Sequence, residues 1–137
     1  MVLLTRKIEF SASHLYHNPN LSPEENRSIF GKCNNPHGHG HNYMVEISVS
    51  GPVDERTGMV CNLTDLDGFV HGEVVERYDH QNLNLLSEFA DKVPTTENLC
   101  VAIYETVKRG FHHAHLDKVR IEETMMNSFE YAGEDGP

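Results

Sequence analysis

The sequence predicts an α+β domain, a four-stranded antiparallel sheet with two helices on one face, in the order β-β-α-α-β-β. Three observations lead there. Two stretches of apolar–polar alternation come first, two stripes of helical period follow, and a short alternating segment with a hairpin partner closes the chain. A length of 137 residues fits one domain, taken as residues 1–137, large enough to fold without cross-links.

The first strand is read over residues 2–13, where Leu4, Ile8, Phe10 and Ala12 alternate with Thr5, Lys7, Glu9 and Ser11. A connection of about 25 residues follows, a length that in a compact domain points to function. Inside it Ser22-Pro23-Glu24-Glu25 has the pattern of an N-cap, proline at the first helical position and an acid at the third, so a short helix to about Phe30 is expected. Alternation returns over 41–50, with Tyr43, Val45, Ile47 and Val49 on one face, and Gly51-Pro52 ends it. Leu63, Leu66, Phe69, Val70 and Val74 form a helical stripe behind a candidate cap, Asn62. A second helix is expected from Pro94-Thr95-Thr96-Glu97, capped by Thr95, with Leu99, Ala102, Ile103 and Val107 inward and Gly110 at its end. Lys118–Glu123 reads as a strand with Val119 and Ile121 inward, and Ser128–Ala132 as its partner. The tail from Gly133 to Pro137 reads as a frayed end.

Net charge is −10, from 21 acidic and 11 basic side chains, which argues against nucleic acid or an anionic membrane as partner. The acidity is uneven: residues 1–40 carry four basic and three acidic groups, so an anionic small molecule meets least repulsion there. Three cysteines, Cys33, Cys61 and Cys100, are widely spaced and form no disulfide framework. No signal peptide and no membrane-length apolar run is visible, and the expectation is a soluble, cytoplasmic protein with reduced thiols. Ten histidines without a tryptophan raise the question of metal or proton chemistry.

Strand parity answers part of it. His14 shares the face of Ile8, Phe10 and Ala12; His39 and His41 share the face of Tyr43 and Val45. If the strands pair antiparallel, three imidazoles meet at one end of the apolar face, because side chains two apart on a strand point the same way. Three histidines with an open fourth position are a catalytic zinc arrangement. His37 has the same parity, so His37/His39 is an alternative pair that spacing does not separate from His39/His41. Cys33, just before the cluster, suits a ligand or a proton-transfer base. Asp79-His80 is a candidate acid/base pair in which the carboxylate orients the ring. Glu123 falls on the inward face, where a carboxylate must be paired or bind something, such as a ligand with two N–H donors. His17, His71, His112, His113 and His115 read as solvated surface groups.

Phe10-Ser-Ala-Ser-His14, Phe30-Gly-Lys-Cys-Asn-Asn-Pro36, Gly38-His-Gly-His-Asn-Tyr43, Asp79-His-Gln-Asn-Leu83, Thr95-Thr-Glu-Asn98 and Glu123-Thr124 occur in order along nearly the whole chain. Together they resemble the 6-pyruvoyl tetrahydropterin synthase family. The resemblance implies a tunnelling fold, with Zn²⁺ on His14, His39 and His41 as cofactor. It further implies Cys33 with Asp79 and His80 as catalytic groups, and Glu123, Thr95, Thr96 and Glu97 as substrate-binding residues. The implied reaction turns 7,8-dihydroneopterin triphosphate into 6-pyruvoyl tetrahydropterin with loss of triphosphate, a lyase step in tetrahydrobiopterin synthesis. The partner is thus a small pterin triphosphate, with Lys32 and Arg27 offered to its phosphates by charge alone. A homohexamer, a dimer of trimers with sites between subunits, is also implied. Met125-Met126 and Tyr78 depart from the family pattern without touching a catalytic group. The spacing Cys33-x5-His39-x-His41 favours this activity, whereas Cys33-x3-His37-x-His39 would suit 6-carboxytetrahydropterin synthase, which stands as the alternative. A non-catalytic zinc-binding module is a further alternative; it would not need Cys33, Asp79, His80 and Glu123 together.

Overall fold

A computed structural model of the chain describes residues 1–134. Residues 135–137 of the predicted frayed tail lie outside the described part. The strands are β1 (Val2–His14), β2 (His39–Gly51), β3 (Gln81–Asn82), β4 (His115–Thr124) and β5 (Asn127–Tyr131). They form one sheet in the order β3-β1-β2-β4-β5. The four expected strands are antiparallel neighbours; β3 is an addition of two residues, running parallel to β1 at Ala12 and Ser13. It carries no periodic signal because it is too short for alternation to register.

The helices are α1 (Pro23–Phe30), α2 (Leu63–Val70), α3 (Glu76–Tyr78) and α4 (Thr96–Gly110). The capping box at Ser22 is formed in full, the Ser22 hydroxyl accepting from the Glu25 N–H while the Glu25 carboxylate accepts from the Ser22 N–H. Asn62 caps α2, and a π turn over His71–Val75 carries the helix on into α3. The extra residue in that turn keeps Val74 and Tyr78 on the buried side. Thr95 caps α4 by accepting from Asn98 N–H. Gly110 is the last residue of α4 for a packing reason, not a left-handed turn: a Cβ there would lie 2.5 Å from the Phe69 ring.

The helices cover one sheet face. Phe10, Ala12, Tyr43, Val45, Ile47, Val49, Val119 and Ile121 pack there against Leu66, Val70, Val74, Leu99, Ile103 and Val107. The opposite face is polar, with Arg120 bonded to Glu46 and Glu122. No helix among the described residues is long and apolar enough to cross a membrane.

Candidate metal and pterin site

Register positions the site. In the β1–β2 ladder Phe10 faces Tyr43, Ala12 faces His41 and His14 faces His39, so the three histidines meet at one end of the apolar face. One ring nitrogen from each lies within 4.8 Å of the others. His37 is exposed and off the cluster, because β2 begins at His39 and Gly38, at φ +70°, breaks the alternation.

The rings are held ready for a cation. His14 is buried; its Nδ1–H donates to the Pro94 carbonyl at 2.8 Å, which leaves the Nε2 lone pair facing the cluster. The Tyr43 hydroxyl also reaches His14 Nδ1, at 3.1 Å. His14 Nε2 lies 3.0 Å from His39 Nε2, and His41 Nε2 is buried without a hydrogen-bond partner. A buried ring nitrogen left unpaired is costly, and a shared metal ion satisfies all three at once. Burial pushes the His14 pKa down to about 4, opposed by the Pro94 bond and reinforced by His39 and His41, so the ring is neutral, as a metal ligand must be. The residues therefore fit a divalent metal.

Glu123 closes one side. It is the extra residue of a bulge, since Glu122 pairs with Ser128 and Thr124 with Asn127, and the bulge turns its side chain toward the histidines. Its Oε1 lies 3.4 Å from His41 Nε2 and 3.8 Å from His14 Nε2. The buried Thr96 hydroxyl donates to Oε1 at 2.8 Å and the Asn127 amide to Oε2 at 3.1 Å. Thr95 acts here as a helix cap, and Glu97 is exposed on the first turn of α4.

Cys33 sits half-buried in a 3₁₀ turn, Gly31–Asn34. Burial pushes its thiol pKa up and the Glu123 carboxylate pushes the same way, so its thiolate calls for a positive charge nearby. Tyr16, which sequence reasoning missed, joins this turn to the cluster. Its N–H donates to the Cys33 carbonyl at 2.9 Å, and its ring stands edge-on to His14, centroids 4.7 Å apart. Pro94 was missed as well, since a backbone carbonyl has no sequence signature.

Asp79 and His80 form the expected pair, Asp79 Oδ2 to His80 Nδ1 at 3.0 Å. Asp79 Oδ1 also accepts from Ser11 N–H at 3.0 Å, and that bond leads the causes holding its carboxyl below the usual range. His80 has φ +59° and donates its N–H to the Ser11 carbonyl at 2.6 Å, which fastens it to β1. It lines an open cleft of about 570 Å³ together with His41, yet neither Asp79 nor His80 hydrogen-bonds to the cluster among the described residues. Lys32 and Arg27 are exposed.

A half-buried histidine cluster at the end of an antiparallel sheet, with a thiol turn and a fixed carboxylate beside it, marks the class: an α+β protein with a three-histidine site that fits a metal ion. Comparison with known proteins gives the family. The family model for 6-pyruvoyl tetrahydropterin synthase matches residues 3–134. A Drosophila melanogaster protein named 6-pyruvoyl tetrahydrobiopterin synthase is 47% identical over 97% of this chain and 80% of its own length. A human protein of the same name is 46% identical over 96% of this chain and 91% of its own length. The structure of Caenorhabditis elegans 6-pyruvoyl tetrahydropterin synthase superposes with a TM-score of 0.92 at 40% identity, covering 97% of this chain and 96% of that one. This chain belongs to the 6-pyruvoyl tetrahydropterin synthase family and is an enzyme.

Proposed function

We propose that the enzyme converts 7,8-dihydroneopterin triphosphate into 6-pyruvoyl tetrahydropterin and triphosphate, with Zn²⁺ held by His14, His39 and His41. The observation that carries this reading is the juxtaposition of the histidine cluster with Glu123, which has two fixed donors and free lone pairs turned into the site. Glu123 accepts from the pterin amino and ring N–H groups and so sets the side chain over the cluster. Bound zinc supplies Lewis acidity to the side-chain hydroxyls, lowering the cost of removing the neighbouring C–H and O–H protons. Cys33 takes a carbon-bound proton; His80, oriented by Asp79, carries the other. Each positioned acid or base is worth about 10²–10⁴-fold. Thr95, Thr96 and Glu97 frame the pterin, and Lys32 and Arg27 meet the phosphates. Redox is internal, hydroxyls becoming ketones as the ring is reduced, so no nicotinamide enters.

Exposure of His80 beside an open cleft suits a site shared between copies. Ahead of Ser11, β1 pairs with no strand on its outer edge among the described residues, and Val2 and Leu3 are exposed on it. An uncovered edge of this kind supports a homohexamer in which sheets join edge to edge. The three free cysteines suit a cytoplasmic setting.

Zinc-loaded protein given dihydroneopterin triphosphate tests the reading by product mass. Pyruvoyl product is expected; a carboxy product would transfer the chain to the 6-carboxytetrahydropterin synthase reading. Zinc binding without turnover would leave a metal-binding module. Cys33→Ala is expected to keep zinc and lose turnover, and full activity in that variant would refute Cys33 as the base.

A further inference from the structure

Asn34 and His17 have no part in the chemistry above, yet they meet beside it. The Asn34 side-chain nitrogen has two hydrogens and both are used. One goes to the Tyr16 carbonyl at 2.8 Å and the other to His17 Nδ1 at 3.1 Å. Tyr16 carbonyl accepts only, so the amide must present its NH₂ there, and His17 Nδ1 must then be the acceptor with its proton on Nε2. The Tyr16 N–H donates in return to the Cys33 carbonyl at 2.9 Å. Residues 33–34 thus grip Tyr16 at both backbone groups, much as a neighbouring strand would. Tyr16 in turn packs against His14 at 4.7 Å and against Phe30, just before the thiol turn, at 5.9 Å.

We propose that Asn34 is a positioning residue whose carboxamide, braced by His17, locks the Cys33 turn to the strand that carries His14 and so fixes the thiol relative to the metal cluster. The proposal rests on Cys33 being the base of the reaction above. Without the amide, one backbone hydrogen bond joins the 3₁₀ turn to Tyr16, and a 3₁₀ turn is a weakly held element. The thiol then samples positions off the line of proton transfer, while the three histidines, held by the ladder and by Pro94, stay in place.

Two variants separate donor from packing. Asn34→Asp keeps the size but has no N–H for Tyr16; Asn34→Ala removes the side chain. In zinc-loaded enzyme both are expected to retain the metal and to leave KM within about threefold. Their kcat should fall about 10–100-fold, the effect of a misplacement on the order of 1 Å. Iodoacetamide labelling of Cys33, followed by peptide mass, is expected to change rate by at least about threefold in both. His17→Ala should give a smaller loss of kcat in the same direction. Asn34→Asp with the wild-type kcat, or Cys33 labelling unaltered in both Asn34 variants, overturns the proposal. If wild-type enzyme with zinc bound shows no turnover, the assignment of Cys33 as base fails, while the labelling rates still decide the clamp. Asn62→Ala, which uncaps α2, a helix that supplies no residue to the site, serves as control and should cost stability without altering kcat.

Discussion

Gly38 is where the backbone conformation before β2 controls the histidine cluster, and Gly38→Ala tests it. Gly38 has φ +70°, and a Cβ there would lie 2.9 Å from the His14 carbonyl oxygen and 3.4 Å from its carbon. Two costs follow. A left-handed conformation costs an alanine about 1–2 kcal/mol, and reduced freedom of the unfolded chain returns about 0.4–1 kcal/mol of it. The overlap is with backbone, and His14 is paired with His39, so the neighbour cannot yield without moving a ligand. Overpacking of this kind costs about 1–3 kcal/mol, and the total is roughly 1–4.5 kcal/mol. Gly58 provides the comparison: φ is +73° but nothing lies within 4 Å, so Gly58→Ala carries the conformational cost alone, about 1.5 kcal/mol or less. At about 3–4 °C per kcal/mol, thermal unfolding should fall by roughly 3–18 °C in Gly38→Ala and by about 6 °C or less in Gly58→Ala. Zinc affinity, measured by competition with a chelator, should drop about 10–100-fold in the first alone. Equal melting temperatures and equal zinc affinity in the two variants would show that the His14 carbonyl is not pinned, refuting the account of how the cluster is held.

Acid should find a second weak point. Burial raises the Glu88 pKa, but hydrogen bonds from Arg77, its own backbone and Tyr78 outweigh it and bring it to about 2. The folded pKa is thus depressed, so the stabilisation is full above the unfolded value of about 4.5 and is lost as pH falls through that value toward the folded one. Arg77 is 43% exposed, which weakens the pair. Between pH 5.5 and 3.5 wild type should lose about 1 kcal/mol more than Glu88→Gln in urea unfolding; parallel pH profiles would contradict the assignment. Thr96→Val removes the buried donor to Glu123 and should weaken pterin binding by about tenfold in calorimetry, roughly 1.4 kcal/mol of the 1.5–3 typical for a bond to a charged group. Unchanged affinity would mean that Glu123 does not anchor the pterin.

The parts of the site that were legible in the sequence are those set by a period. Side chains two apart share a sheet face, and an apolar face admits one register, so His14, His39 and His41 could be brought together from Phe10, Ala12, Tyr43 and Val45. The same logic reached its limit at His37, because parity has meaning only inside a strand and Gly38 ends that strand's reach. What could not be read is built from backbone groups and single side chains across long separations. The Pro94 carbonyl orients His14 from 80 residues away, and a bulge aims Glu123. Beyond β3, the Asn84 carboxamide takes the place of a strand, accepting from Leu15 N–H at 2.7 Å and donating to its carbonyl at 2.9 Å. Asn34 does half of this for Tyr16. Amide side chains therefore carry the backbone pairing past the point where the sheet stops, and residues 14–16 keep strand-like order at the rim where the chemistry lies. An asparagine in a loop carries no signature of that role until the chain it pairs with has been placed.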